Sequence, residues 1–310
     1  MYNDPIYSKK EFTMLRNINL LLVFTVLFLG CTNGINSQRV EQEDLDKLQK
    51  IISLVTNYSM EDITRKNIID IDINKGYKTK EDIEFEIKKI MASLDKYSIY
   101  INKKDSLTKT RQNTYTPISF KIIDNKYLYI SLPYFYKNVS KKLSKIIKYN
   151  SNLAIILDLR DNIGGHLDEA IKTVDLFIDN GMIVSQIGKN KNLTKKYYAT
   201  KQKTITTKPM VVLINHKTAS AAEIVSGALQ DHKRTTLIGT QTYGKGTIQS
   251  LIYLNDDKTE AIKLTVGKYY LSSKKDINSK IQPNIVIKQK SLQLKMAIEY
   301  LQNSFIEAKQ

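Results

Sequence analysis

From residue 127 onward, short apolar runs alternate with helical stripes, and this alternation limits the fold more than any other feature of the chain. Residues 127–132 and 154–159 read as strands, with a helix between them over 139–149. Residues 167–178 and 221–229 read as helices, and 182–187, 210–214 and 235–238 as strands. Two further strands, 247–254 and 261–266, flank Asn255-Asp256-Asp257, a hairpin-type turn. An amphipathic helix over 292–305 closes the pattern. Elements in that order imply an α/β domain over 127–310. No internal repeat is visible.

Residues 40–100 read as an N-terminal helical segment. Leu45, Leu48, Ile52 and Val55 recur at helical spacing, as do Ile83, Ile87, Ile90 and Leu94, and both stripes are read as core packing. Thr79 and Asp82 make a capping pair for the second helix. Residues 101–126 are polar and irregular and are expected to be a connector, while 31–39 read as a polar tether.

The single cysteine stands at the end of an apolar run. Leu20 to Leu29 is ten residues, with Thr25 inside it, where a membrane-spanning helix needs about twenty. Preceded by Lys9, Lys10 and Arg16, the run suits a secretory signal over residues 1–30, and Met14 offers a second start. Phe28-Leu29-Gly30-Cys31 resembles the bacterial lipoprotein cleavage box. That resemblance implies cleavage before Cys31 and lipidation of it. The other reading is an ordinary buried cysteine in a signal anchor. Cleavage would leave 280 residues at a formal charge of +16, against +17 for the precursor.

One cysteine excludes a disulfide scaffold and a Cys-based zinc cage, and His166, His216 and His232 show no metal-ligand spacing. The chain has 48 Lys and Arg against 31 Asp and Glu, but the excess is spread throughout rather than gathered into a stripe, so no nucleic-acid partner is expected.

Three segments carry glycines and small residues where backbone must approach something closely. Asp158-Leu-Arg-Asp-Asn-Ile-Gly164-Gly165 is a strand entering a Gly-Gly turn, able to aim N–H groups into a cleft or to serve as plain loop geometry. In Asn215-His-Lys-Thr-Ala-Ser220-Ala-Ala-Glu-Ile, Ser220 falls between an apolar strand and a helix. An N-cap role explains that placement equally well. In Thr242-Tyr-Gly-Lys245-Gly-Thr-Ile-Gln249 a lysine lies between glycines; alone it is a surface turn lysine.

Together the three segments resemble the carboxyl-terminal processing, or tail-specific, serine proteases, over about residues 127–300. The family's Asp-Leu-Arg-Asn-Asn-Pro-Gly-Gly corresponds to 158–165, with Asp161 and Ile163 as departures. Its Ser-Ala-Ser-Ala-Ser-Glu-Ile corresponds to 218–224, and Gly-Ala-Leu-Gln-Asp continues at 227–231. Thr-Phe-Gly-Lys-Gly-(Ser/Thr)-Val-Gln is present as 242–249, and Ile281-Gln-Pro-Asn284-Ile follows the downstream pattern with Asn284 for Asp.

The resemblance implies a crotonase/ClpP-like core of mixed sheets with flanking helices. It implies Ser220 as nucleophile, Lys245 as general base, Gln249 as its support, the N–H groups of Gly164 and Ala221 as oxyanion hole, and no cofactor. Asp231 is expected to be structural support, pairing with Arg234. Protein or peptide substrates of a bacterial cell envelope and a lipid-anchored location follow from the same resemblance together with Cys31; the oligomeric state is left open.

The chemistry fits these residue types. A serine hydroxyl needs a base to take its proton. A solvated lysine, with a pKa of about 10.4, is neutral in only about one molecule in 2,500 at pH 7, so a base lysine must be partly desolvated. A triad using His216 or His232 with Asp158 or Asp231 is the rival arrangement. Leu94-Asp95-Lys-Tyr-Ser98-Ile-Tyr100 resembles the end of the family's helical part. Only 26 residues separate Tyr100 from Tyr127, whereas an independent domain starts at about 50. The family's PDZ domain is therefore expected to be absent. A catalytically inactive envelope lipoprotein using the same fold for binding is the alternative function.

Overall fold

The computed structural model describes residues 40–63, 68, 71, 76–103 and 116–307. The signal, the tether and Cys31 lie outside them, as does most of the expected connector.

Among the described residues, two sheets organise the chain. The larger has six strands, β2 (Ser119–Ile123), β3 (Tyr127–Ser131), β4 (Ala154–Asp158), β7 (Met210–Ile214), β8 (Thr236–Gly239) and β11 (Ile285–Val286), in the order β11-β8-β7-β4-β3-β2. All neighbours are parallel except β2 and β3. The crossovers are α3 (Val139–Tyr149), α4 (Leu167–Asp175) and α5 (Ala221–Asp231), and α6 (Lys290–Glu307) follows β11. Every residue of β4 and β7 is buried, as expected of parallel strands covered on both faces. Period-two alternation divides them. Ile156, Val211 and Leu213 face Ala297 and Leu301 of α6, whereas Ile155, Leu157, Val212 and Ile214 join the main core with α3, α4 and α5.

The second sheet is antiparallel: β1 (Ile99–Ile101), β10 (Ala261–Tyr270), β5 (Met182–Gly188) and β6 (Lys195–Tyr198) in the order β1-β10-β5-β6, with β9 (Thr247–Tyr253) also on β10. The N-terminal helices α1 (Gln42–Tyr58) and α2 (Lys80–Leu94) pack into the main core. The Thr79–Asp82 pair forms as expected, the Asp82 N–H donating to Thr79 Oγ1 at 3.1 Å and the Thr79 N–H to Asp82 Oδ2 at 2.9 Å.

The expected mixed sheets with flanking helices are present, and the expected segment boundaries need two corrections. Residues 101–126 are not simply an irregular connector, because Ser119–Ile123 is a full edge strand of the large sheet. Nor is the N-terminal segment purely helical: Ile99–Ile101 pairs with β10, and Lys47 reaches Glu260 at 2.9 Å. It is structurally part of the core.

Candidate active site

The chain between β7 and α5 turns sharply at Ser220, which has φ +57° and ψ −120°. A non-glycine residue there is strained, at a cost of about 1–3 kcal/mol, and needs outside support. Three bonds give it. The Thr218 hydroxyl donates to Leu159 O at 2.8 Å, the Ala219 N–H to Asn162 O at 2.9 Å, and the Ser220 N–H to Glu223 Oε2 at 2.8 Å. Ser220→Gly is expected to relieve the strain. After the entropy that glycine costs, it should gain about 1 kcal/mol of stability, or roughly 2 °C in a thermal melt.

The Gly164–Gly165 turn presses on this point. A Cβ on Gly164 would lie 2.8 Å from Ser220 Cβ and 3.1 Å from the Ala221 nitrogen, so only glycine permits the approach. A Cβ on Gly165 would fall 2.3 Å from Phe135 O. The turn is braced from behind. Asp158 accepts Tyr129 Oη at 2.6 Å and Arg160 Nε at 2.8 Å, while Arg160 Nη1 reaches Lys290 O and Gln293 Oε1 on α6, each at 3.1 Å. Burial pushes the Tyr129 hydroxyl up to about 12, which keeps it a donor to Asp158. Asp161 bonds Lys290 Nζ at 2.6 Å, and that contact holds its carboxyl below the usual range.

The lysine loop meets the serine turn at one carboxylate. Glu223 is fully buried on the first turn of α5. Its Oε2 accepts the N–H of Ser220 and of Lys245, each at 2.8 Å, and its Oε1 accepts the Gly244 N–H at 2.7 Å and the Thr242 hydroxyl. Burial pushes its pKa up against the pull of these donors. The Tyr243 N–H adds a bond to Thr218 O at 2.9 Å. Lys245 is half-buried, with Nζ 5.3 Å from the centroid of the Tyr97 ring. Gln249 lies on β9, its Nε2 donating to Thr247 Oγ1 at 2.7 Å and to Thr265 Oγ1 at 3.4 Å. In this conformation, among the described residues, Ser220 Oγ and Lys245 Nζ are not hydrogen-bonded to each other; such contacts often tighten only with substrate.

Of the expected site residues, Ser220, Ala221 and Gly164 meet at one point, and Lys245 is joined to them through Glu223. Ala221, as the first residue of α5, has an N–H with no intrahelical acceptor. The Gly164 N–H, expected in the oxyanion hole, instead donates to Asn162 Oδ1 at 2.8 Å. Asp231 is at the far end of α5 and accepts Ser272 Oγ at 2.9 Å and the Ser273 N–H at 2.8 Å. The expected pairing with Arg234 is not made, because that guanidinium is spent on the carbonyls of Phe177, Thr206 and Lys208. Of the rival histidines, His216 is exposed, and His232 contacts Met182 O at 2.9 Å, about 18 Å from Ser220 along the helix. Asn284, standing where the resemblance has Asp, accepts the Leu237 N–H through its Oδ1 at 2.8 Å. The role of Glu223 was not read from the sequence, although a Glu three residues after a helix-capping Ser is a recognisable spacing.

These elements define an α/β chain built around a serine on a strained strand-to-helix turn. The chain belongs to Peptidase family S41, whose family model matches residues 126–287. A carboxy-terminal-processing protease of Bartonella bacilliformis is 46% identical over 135 residues, covering 43% of this chain and 31% of that protein. The chloroplastic carboxyl-terminal-processing peptidase 1 of Arabidopsis thaliana is 31% identical over 261 residues, covering 79% and 53%. The chain thus spans about half or less of the length of these two relatives. Among solved structures, a photosystem II D1 C-terminal processing protease shares the fold at a TM-score of 0.68 over 82% of this chain and 95% of its own, with 16% identity. A lipoprotein of Streptococcus agalactiae does so at 0.66, over 87% and 100%, with 20% identity.

Proposed function

We propose that the chain is a membrane-tethered serine endopeptidase of the carboxyl-terminal processing type, acting on proteins or peptides of the cell envelope. The observation that carries this reading is the Glu223 carboxylate, which hangs the backbones of Ser220 and Lys245 on one buried group. Ser220 Oγ attacks the peptide carbonyl carbon as Lys245 Nζ takes its proton. The carbon–nitrogen bond breaks when the lysine returns that proton to the leaving amine. Water, deprotonated in the same way, then releases the acid and frees Ser220. Negative charge on the carbonyl oxygen is met at the start of α5 by the Ala221 N–H. The second donor comes from the Gly164–Gly165 turn, and for Gly164 to serve, its N–H has to leave Asn162 Oδ1. With the Gln249 nitrogen held by Thr247 and Thr265, the chemistry left to that side chain is an acceptor oxygen for the lysine amine.

Cys31 is the proposed lipid anchor. Only 17 residues lie between the end of β1 and the start of β2, which supports the absence of a PDZ insertion there.

The purified full-length chain is expected to cut casein, with the product ends read by mass spectrometry. Cuts gathered near C-termini support tail selection, and dispersed cuts support general endopeptidase action. A folded chain that cuts nothing and retains an envelope protein would establish the inactive binding lipoprotein instead.

A further inference from the structure

Lys245 is covered by a residue from outside the segment that the family model matches. Tyr97 lies on the turn between α2 and β1, with its ring 5.3 Å from Lys245 Nζ. Asp95 builds that turn. Its Oδ1 accepts the N–H groups of Tyr97 and Ser98 at 2.6 and 2.9 Å, and its Oδ2 accepts Ser98 Oγ at 2.8 Å. Ser98 Oγ in turn accepts the Thr265 N–H of β10 at 3.1 Å. Thr265 is the residue paired with Gln249 across the β9–β10 ladder. One short turn therefore touches the lysine through its ring and latches to the strand beside the glutamine.

Tyr97 has a second cationic neighbour. Lys96 Nζ lies 5.0 Å from the Tyr97 ring and 5.2 Å from that of Tyr243. We infer that Tyr97 is a positioning residue for Lys245, covering one side of its amine so that the N-terminal segment completes the active site. This rests on the reading of Lys245 as general base. A ring face beside the lysine head attracts it through its quadrupole and fills the space into which the head could otherwise swing. Cover of this kind holds the head on the serine side of the turn. The neighbouring groups act on the same arrangement: Lys96 lies against the Tyr97 and Tyr243 rings, and Glu223 holds the Lys245 backbone N–H.

The test compares Tyr97→Phe and Tyr97→Leu with wild type in the full chain, using labelled casein and a thermal melt. Tyr97→Phe keeps the ring and is expected to stay within about twofold of wild type in kcat. Tyr97→Leu is expected to lose about tenfold in kcat with KM little changed. If Tyr97→Leu melts early, Tyr97→Met, which fills the space without a ring face, is judged by the same criteria. Wild-type kcat in a folded ring-less variant, or a loss confined to KM, overturns the role of Tyr97 and leaves the peptidase reading standing. A wild type that cuts nothing overturns both.

Discussion

Ser220→Ala and Lys245→Ala will each leave a folded protein that cuts casein at least about a thousandfold more slowly than wild type. Ser220→Ala removes the hydroxyl that the strained turn presents. Lys245→Ala leaves the hydroxyl without the lysine amine that takes its proton. Because the two residues act on one proton, the double variant should be no slower than the slower single one. Lys245→Arg is the sharper control. It keeps the positive charge, but a guanidinium cannot give up its proton near neutral pH, so it should be as inactive as Lys245→Ala. Initial rates, with melting temperatures to show that each variant is folded, check all four. Activity that survives Ser220→Ala would sink the mechanism.

The parts of the fold legible in the sequence are those whose side chains report their surroundings. Residues 139–149 and 210–214 have the expected boundaries, because an apolar stripe and a short apolar run each register burial directly. β2 was not legible for the opposite reason. Four of its five side chains are exposed, Phe120 and Ile122 among them, so no inward-facing alternation marks it as a strand. β6, reading Lys-Lys-Tyr-Tyr at a sheet edge, and the two-residue β11 are held by backbone pairing that leaves no periodic trace. At the site, Ser220, Lys245 and the Gly-Gly turn could be picked out because their three segments together match one family pattern in order and spacing, although each alone has an ordinary reading. Glu223 and Tyr97 could not: a carboxylate on a helix and a tyrosine on a turn become informative only when the partners converging on them are known.

Glu223 is where removing a few atoms should cost most. Glu223→Ala leaves the N–H groups of Ser220, Gly244 and Lys245 and the Thr242 hydroxyl without their acceptor. At about 1–3 kcal/mol for each unsatisfied buried donor, partly relieved by water, a loss of about 4 kcal/mol or more is expected. Glu223→Gln isolates the cause. Its carbonyl oxygen can serve one pair of donors, but its NH2 must then face the other pair, so it should lose about 2 kcal/mol. It should also lower kcat at least about tenfold with KM little changed, since the carboxylate positions backbone and touches no substrate. The pH dependence separates this carboxylate from others. Burial raises its folded pKa, so the folded state binds this proton more tightly than the unfolded state does. Its contribution to stability is therefore full below the unfolded value of about 4.5 and declines as pH rises through the folded value. Glutamine does not titrate, so the melting-temperature advantage of wild type over Glu223→Gln should shrink as pH rises above about 4.5. A gap that widens instead would mean that the four donors outweigh desolvation and that the carboxylate is held as the anion. A Gln variant with wild-type melting and wild-type kcat would mean that the serine and lysine turns keep their places without it.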